Sequence, residues 1–196
     1  MILAIFCGTS LGRDAAYADA AREFGRLLAE EGIEVVYGGG CVGLMGAVAD
    51  AALLAGGRVT GVMPRALVER EIAHAGLTTL HIVETMHERK TRMAELASGF
   101  VVLPGGPGTL EEIFEQWTWG QLGIHKKPCG FLDVRGYFEP LRLMVAQMVA
   151  EGFMDAAYAE MLAFADNPRD LLTRFRDYQP PRPKWAPGGV EGSVRR

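Results

Sequence analysis

Short runs of β-branched and other apolar residues alternate along the chain with longer stretches in which apolar residues recur every three or four positions. The runs at residues 2–7, 34–37, 58–63, 80–83, 100–103, 128–133 and, more weakly, 161–165 predict strands. The stretches 14–31, 43–55, 86–97, 109–121, 137–150 and 168–176 predict the helices between them. Strands that are apolar almost throughout are covered on both faces, and strand–helix–strand repetition makes them parallel. The predicted fold is therefore α/β, a Rossmann-like three-layer domain with a mostly parallel sheet of about seven strands. Ligands of such sheets bind in the crevice at the carboxyl ends of the strands.

The 196-residue length suits one domain, predicted to span residues 1–178. From Gln179 the sequence is rich in proline and glycine and loses its periodicity, so residues 179–196 read as a flexible tail. A net charge of −4 without a Lys/Arg cluster argues against a nucleic-acid partner, which needs a concentrated basic face, but leaves room for a small anion. Cys7, Cys41 and Cys129 are odd in number and widely spaced, which fits reduced thiols and a cytoplasmic location. The apolar start at residues 1–7 is too short for a signal segment, and no stretch reaches the roughly 18 apolar residues of a membrane span.

Three turns that leave predicted strands toward this crevice are crowded with glycine. They are Gly8-Thr9-Ser10-Leu11-Gly12, the segment from Gly38-Gly39-Gly40 through Gly43 and Met45 to Gly46, and Pro104-Gly105-Gly106-Pro107-Gly108-Thr109. Glycines let successive N–H groups converge on an anion, and the following helix N-terminus adds partial positive charge. Any one turn is also explained as an ordinary tight corner. Gly38, Gly40 and Gly43 match a dinucleotide fingerprint, yet no acidic residue ends the next strand, where Gly61-Val62-Met63 stands, and this disfavours a nicotinamide cofactor. No turn carries the lysine of a Walker A loop.

In the helix after the fourth strand, Thr85 and Glu88 form a capping box. Arg89 falls on the apolar stripe of Met86, Met93, Leu96 and Ala97, whereas Lys90, Arg92 and Glu95 read as a solvated face. A guanidinium drawn out of water needs a carboxylate or a ligand anion, in a structural ion pair or a functional one. The next helix begins with Thr109 and, three residues on, Glu112, again a capping box in form. Glu111, Glu112 and Glu115 crowd acid at that helix start, which makes one of them a candidate for an altered pKa. Trp117 and Trp119 follow, as core packing or as a pocket wall.

The segments Pro104-Gly105-Gly106-Pro107-Gly108-Thr109-Leu110-Glu111-Glu112 and Met86-His87-Glu88-Arg89-Lys90 resemble the PGGxGTxxE and MHxRK motifs of the Lonely Guy family. The likeness runs over about residues 3–178, from Phe6-Cys7-Gly8 to the stretch ending at Pro128, with Thr9 where the family often has serine. The resemblance implies a Rossmann-like, usually dimeric phosphoribohydrolase. Such enzymes release free base and ribose 5-phosphate from cytokinin nucleoside 5′-monophosphates. It implies that Arg89 and Glu112 are the catalytic pair. It also places Glu71, Lys90, Gly105, Gly106, Gly108, Thr109, Glu111 and Thr118 around the nucleotide, beside Gly8, Thr9, Ser10, Gly39, Gly40, Gly43, Met45, Met86 and Pro104. No cofactor or metal is expected; His74, His81, His87 and His125 lack ligand spacing.

Alternatives remain. A nucleosidase of broad purine specificity would carry the same residues. The glycine turns alone would also permit a non-catalytic carrier of nucleotide or molybdenum cofactor, against which the joint presence of Arg89 and Glu112 favours catalysis. A pyridoxal-phosphate decarboxylase, the label many members carry, needs a Schiff-base lysine, and only Lys90, Lys126, Lys127 and Lys184 are available. The dimer is implied by the resemblance; apolar positions Leu110, Ile113, Phe114 and Trp117, which exceed what one sheet contact needs, lend it weak support without locating the interface.

Overall fold

The computed structural model describes residues 1–69 and 73–185. Its seven strands are β1 (Ile2–Phe6), β2 (Glu34–Tyr37), β3 (Val59–Pro64), β4 (Thr79–Val83), β5 (Gly99–Val102), β6 (Cys129–Leu132) and β7 (Leu162–Ala165). They form one sheet in the order β4-β3-β2-β1-β5-β6-β7, with every neighbouring pair parallel. The helices are α1 (Ala15–Glu30), α2 (Gly43–Leu54), α3 (Arg65–Val68), α4 (Met86–Leu96), α5 (Pro107–Gln121), α6 (Glu139–Ala150), α7 (Ala156–Ala159) and α8 (Pro168–Arg176).

Side chains alternate across each strand and so divide the core into two layers. Leu3 and Ile5 of β1 join Phe24 and Leu28 of α1, Val48 of α2 and Phe175 of α8 on one face. Ala4 and Phe6 join Met93 of α4, Ile113 and Trp117 of α5 and Val145 of α6 on the other. This is the predicted three-layer arrangement. Ile113 and Trp117 are thus core residues, with the Trp117 indole N–H donating to the Tyr158 carbonyl at 2.8 Å, and they offer no surface for a dimer contact. Leu110 and Phe114 are themselves partly buried against this core.

The chain steps outward from β1 to β4 and then returns to the other side of β1 with β5. A topological switch point therefore lies between β1 and β5, where the ends of adjacent strands open a crevice. The glycine-rich turns after β1 and β5 flank it, and the turn after β2 stands next to them.

Two short helices, α3 and α7, carry only four residues each and leave no periodic signature in the sequence. In the segment after Gln179, Lys184 N donates to the Gln121 carbonyl at 2.9 Å and the Tyr158 hydroxyl donates to the Arg182 carbonyl at 3.4 Å. Residues 186–196 of that segment lie outside the described residues. Among the described residues no helix is long and apolar enough to cross a membrane.

Candidate active site

The three turns are wired to one another. Leu44 N donates to the Gly8 carbonyl at 3.0 Å, and Gly8 N donates to the Pro104 carbonyl at 3.0 Å. The second turn is thereby fastened to the first and the first to the third. Such close passage excludes side chains: a Cβ on Gly43 would overlap the Thr9–Ser10 peptide, and one on Gly105 would stand 2.8 Å from Gly8 N. The turns surround a crevice of about 440 Å³.

Gly8, Thr9, Gly106, Gly108 and Thr109 form its polar end. Here α5 begins at Pro107, with Gly106 as its N-cap and no side-chain cap. The first N–H groups of a helix have no partner within it, so this end presents donors and positive potential to an anion. Val42, Met45, Met63, Leu67 and Met86 make an apolar wall. A second hollow of about 320 Å³ adjoins through Gly8, Thr9 and Gly106, and Ser10, Pro104 and Gly105 line it.

Between the polar end and the apolar wall stand Arg89, Glu111 and Glu112. Thr85 caps α4 by accepting from Glu88 N at 3.1 Å, while the Glu88 carboxylate accepts from Glu84 N at 2.9 Å, one residue before the predicted partner. The helical period then turns Arg89 inward. Its Nη2 lies 3.5 Å from Glu112 Oε1, and both side chains are only 13% exposed. That distance exceeds the 2.7–2.9 Å of a charge-assisted hydrogen bond. Arg89 Nε is also buried without a hydrogen-bond partner among the described residues. Glu112 therefore leaves donor capacity on the guanidinium unspent.

The Thr109–Glu112 capping box does not form, because Pro107 starts the helix earlier than Thr109 and moves the cap to Gly106. Glu112 is left without that structural task and sits inside the first turns, facing Arg89. Burial pushes its carboxyl up to about 7, the Arg89 charge pulling down against it and the Glu111 charge adding to the rise. A carboxyl titrating near neutrality can serve as a catalytic acid or base. Cys7, at the crevice floor, is held as a neutral thiol by burial and by the charge of Glu112.

Lys90 corrects the solvated-face reading. It is only 8% exposed, and its ammonium donates to Glu111 at 2.5 Å and to Glu115 at 3.0 Å. The bond to Glu111 raises its pKa, against the opposing effect of desolvation. No lysine lines the crevice among the described residues, so the chemistry of a Schiff-base lysine has no group to carry it there.

Gly8, Thr9, Gly40, Met45, Met86 and Arg89 of the expected site line the crevice, as do Gly106, Gly108, Thr109, Glu111 and Glu112. Gly39 and Gly43 lie behind it, with positive φ angles of 81° and 62° that favour glycine. Thr118 is exposed farther along α5, its hydroxyl donating to the Phe114 carbonyl at 2.7 Å. Glu71 lies outside the described residues. Pro107, inside the motif segment, lines the crevice too, and Cys7, Gly38, Val42, Met63 and Leu67 line it without having been singled out for it. Of these, Gly38 and Val42 sit within the glycine-rich segment, which was the available signal.

Residues 45–175 match a family profile described as possible lysine decarboxylase. A cytokinin riboside 5′-monophosphate phosphoribohydrolase of Oryza sativa is 44% identical over 91% of this chain and 74% of its own length. One from Arabidopsis thaliana is 43% identical over 91% of this chain and 82% of its own. The chain belongs to the Lonely Guy family. Among solved structures, the molybdenum cofactor binding protein of Rippkaea orientalis superposes with a TM-score of 0.67 at 17% identity, covering 90% of this chain and 95% of that one. The molybdenum cofactor carrier protein of Chlamydomonas reinhardtii gives 0.67 at 20% identity, covering 90% and 96%. At that identity the likeness describes the fold the family shares with these proteins.

Proposed function

We propose that this Lonely Guy protein hydrolyses the N-glycosidic bond of cytokinin nucleoside 5′-monophosphates, releasing free base and ribose 5-phosphate. The observation that carries the reading is the inward-facing Arg89–Glu112 pair, 3.5 Å apart, set between an anion cradle and an apolar wall. The names of the relatives point the same way.

The 5′-phosphate takes the N–H groups of the glycine turns and the start of α5. The base and its prenyl chain lie along Met45, Met63, Leu67 and Met86, and the residues named above from the family motifs complete the site. As the bond from C1′ to the base nitrogen breaks, its electron pair leaves with the base, which takes up a proton. Positive charge grows on the ribose, and the Glu112 carboxylate stabilises it and accepts a proton from the water whose oxygen joins C1′. Arg89 orients Glu112 and holds its pKa from rising further. This reading invokes neither a metal nor a cofactor.

We further propose residues 1–178 as one catalytic domain with 179–196 as a tail, a homodimer as in the family, and a cytoplasmic location consistent with free Cys7, Cys41 and Cys129. Nucleic acid and membrane are not partners in this reading. Product analysis tests the bond-breaking step: with water as the acceptor, free base and ribose 5-phosphate form in equal amounts. Free base without an equal amount of ribose 5-phosphate would point to a different acceptor.

A further inference from the structure

Tyr137, in the loop between β6 and α6, is distant in sequence from every motif residue. Its hydroxyl nevertheless donates to the Gly105 carbonyl at 2.6 Å, across the hollow beside the crevice. In a trans peptide the C=O of one residue and the N–H of the next point in opposite directions. Fixing the Gly105 carbonyl toward Tyr137 therefore fixes the Gly106 N–H away from it. Gly106 is the N-cap of α5, and Pro107 contributes no N–H, so the Gly106 donor is a principal one at this helix start. Without an anchor, a peptide between two glycines rotates easily.

A second feature lies immediately before this ring in the chain. Tyr137 N donates to the Val134 carbonyl at 3.2 Å, closing a tight turn through Arg135 and Gly136 with φ angles of 58° and 71°. Arg135 is the single non-glycine residue in the left-handed region among the described residues. Such strain persists where the surroundings over-determine it. Here they do: the Asp133 carboxylate accepts from Phe138 N at 2.9 Å, and the Tyr137 ring packs edge-on against Tyr17 and Phe138 at 5.8 and 5.0 Å.

We propose that Tyr137 is a positioning residue for the phosphate: through the Gly105 carbonyl it holds the Gly105–Gly106 peptide with the Gly106 N–H presented to the anion. This rests on the reading that the glycine turns receive a 5′-phosphate, though not on hydrolysis itself. Tyr137→Phe keeps the ring contacts and removes only the hydroxyl.

The test is calorimetric binding of ribose 5-phosphate and, separately, of isopentenyladenine to wild type and Y137F. The loss of one aligned donor to a charged oxygen raises the Kd for ribose 5-phosphate by about tenfold, with the Kd for the free base unchanged. A general structural defect would weaken both. Equal ribose 5-phosphate affinity in the two proteins overturns the proposal and leaves the hydrolysis reading intact. A wild type that binds ribose 5-phosphate but releases no base overturns hydrolysis and leaves this test in force. A wild type that binds no ribose 5-phosphate overturns the phosphate reading and the proposal with it. Should Y137F fold poorly, the same titrations are made on R135G/Y137F against R135G, since glycine relieves the left-handed strain at residue 135.

Discussion

Gly38 and Arg89 are fitted to each other: a methyl group on Gly38 would occupy the space of the Arg89 guanidinium, overlapping Nη2 and standing 3.1 Å from Cζ. The obstacle would meet the end of a flexible side chain, not backbone, so the fold can accommodate it while Arg89 is pushed off Glu112. Gly38→Ala should leave the melting temperature within a few degrees of wild type and lower kcat by about a hundredfold, the scale expected from a displacement of about 1 Å in a catalytic group. Thermal melts and steady-state kinetics on the same preparation check it.

Glu112→Gln should separate activity from stability. Loss of the carboxylate lowers kcat at least about a hundredfold. Because the folded-state pKa of Glu112 is raised to about 7, its ionisation opposes folding. The contribution favouring the fold is fully present below the unfolded-state pKa and is lost as pH rises through about 7. E112Q should accordingly be more stable than wild type at pH 8, by about 1–3 kcal/mol, with the advantage vanishing near pH 4. Denaturant unfolding at the two pH values measures this.

The same ionisation should govern turnover. With the carboxylate as the active form, kcat/KM rises with pH through about 7 and then levels. The Arg89 charge holds that pKa down, so Arg89→Met should move the midpoint of the residual rate to higher pH as well as reducing it. A midpoint that stays in place in R89M would show that Arg89 acts on the substrate alone.

Lys90→Met should act through the fold as well as the site. It leaves Glu111 and Glu115 without their shared cation and removes a charge that pulls the Glu112 pKa down. We expect a loss of about 1–3 kcal/mol, moderated because Glu111 is more than half exposed, together with an upward shift of the pH–rate midpoint. Chemical denaturation and a pH–rate profile read the two effects.

Features set by short-range periodicity were visible in the sequence. The unbroken apolar run at residues 2–7 marks β1 as a strand covered on both faces, and the structure puts Leu3 and Ile5 on one side of it and Ala4 and Phe6 on the other. The three-and-four spacing of α4 placed Arg89 among apolar neighbours. Relations that cross the chain were hidden. Lys90 read as solvated because the glutamates that bury it are 21 and 25 residues away, and the Tyr137–Gly105 bond spans 32. The false capping box at Thr109 came from giving a local motif precedence over Pro107 at the helix start. Ile113 and Trp117 looked surplus to one sheet contact because the sequence does not show that the β5–β6 face and α7 receive them.

The most direct test is to incubate the wild-type protein and E112Q with isopentenyladenosine 5′-monophosphate, with AMP in parallel, and to quantify free base and ribose 5-phosphate. The account predicts the two products in equal amounts from wild type, little from E112Q, and faster release from the prenylated nucleotide, whose extra apolar carbons the Met45–Met63–Leu67–Met86 wall buries. A wild-type protein that binds the nucleotide and returns it intact, or an E112Q variant that releases base at the wild-type rate, would contradict it.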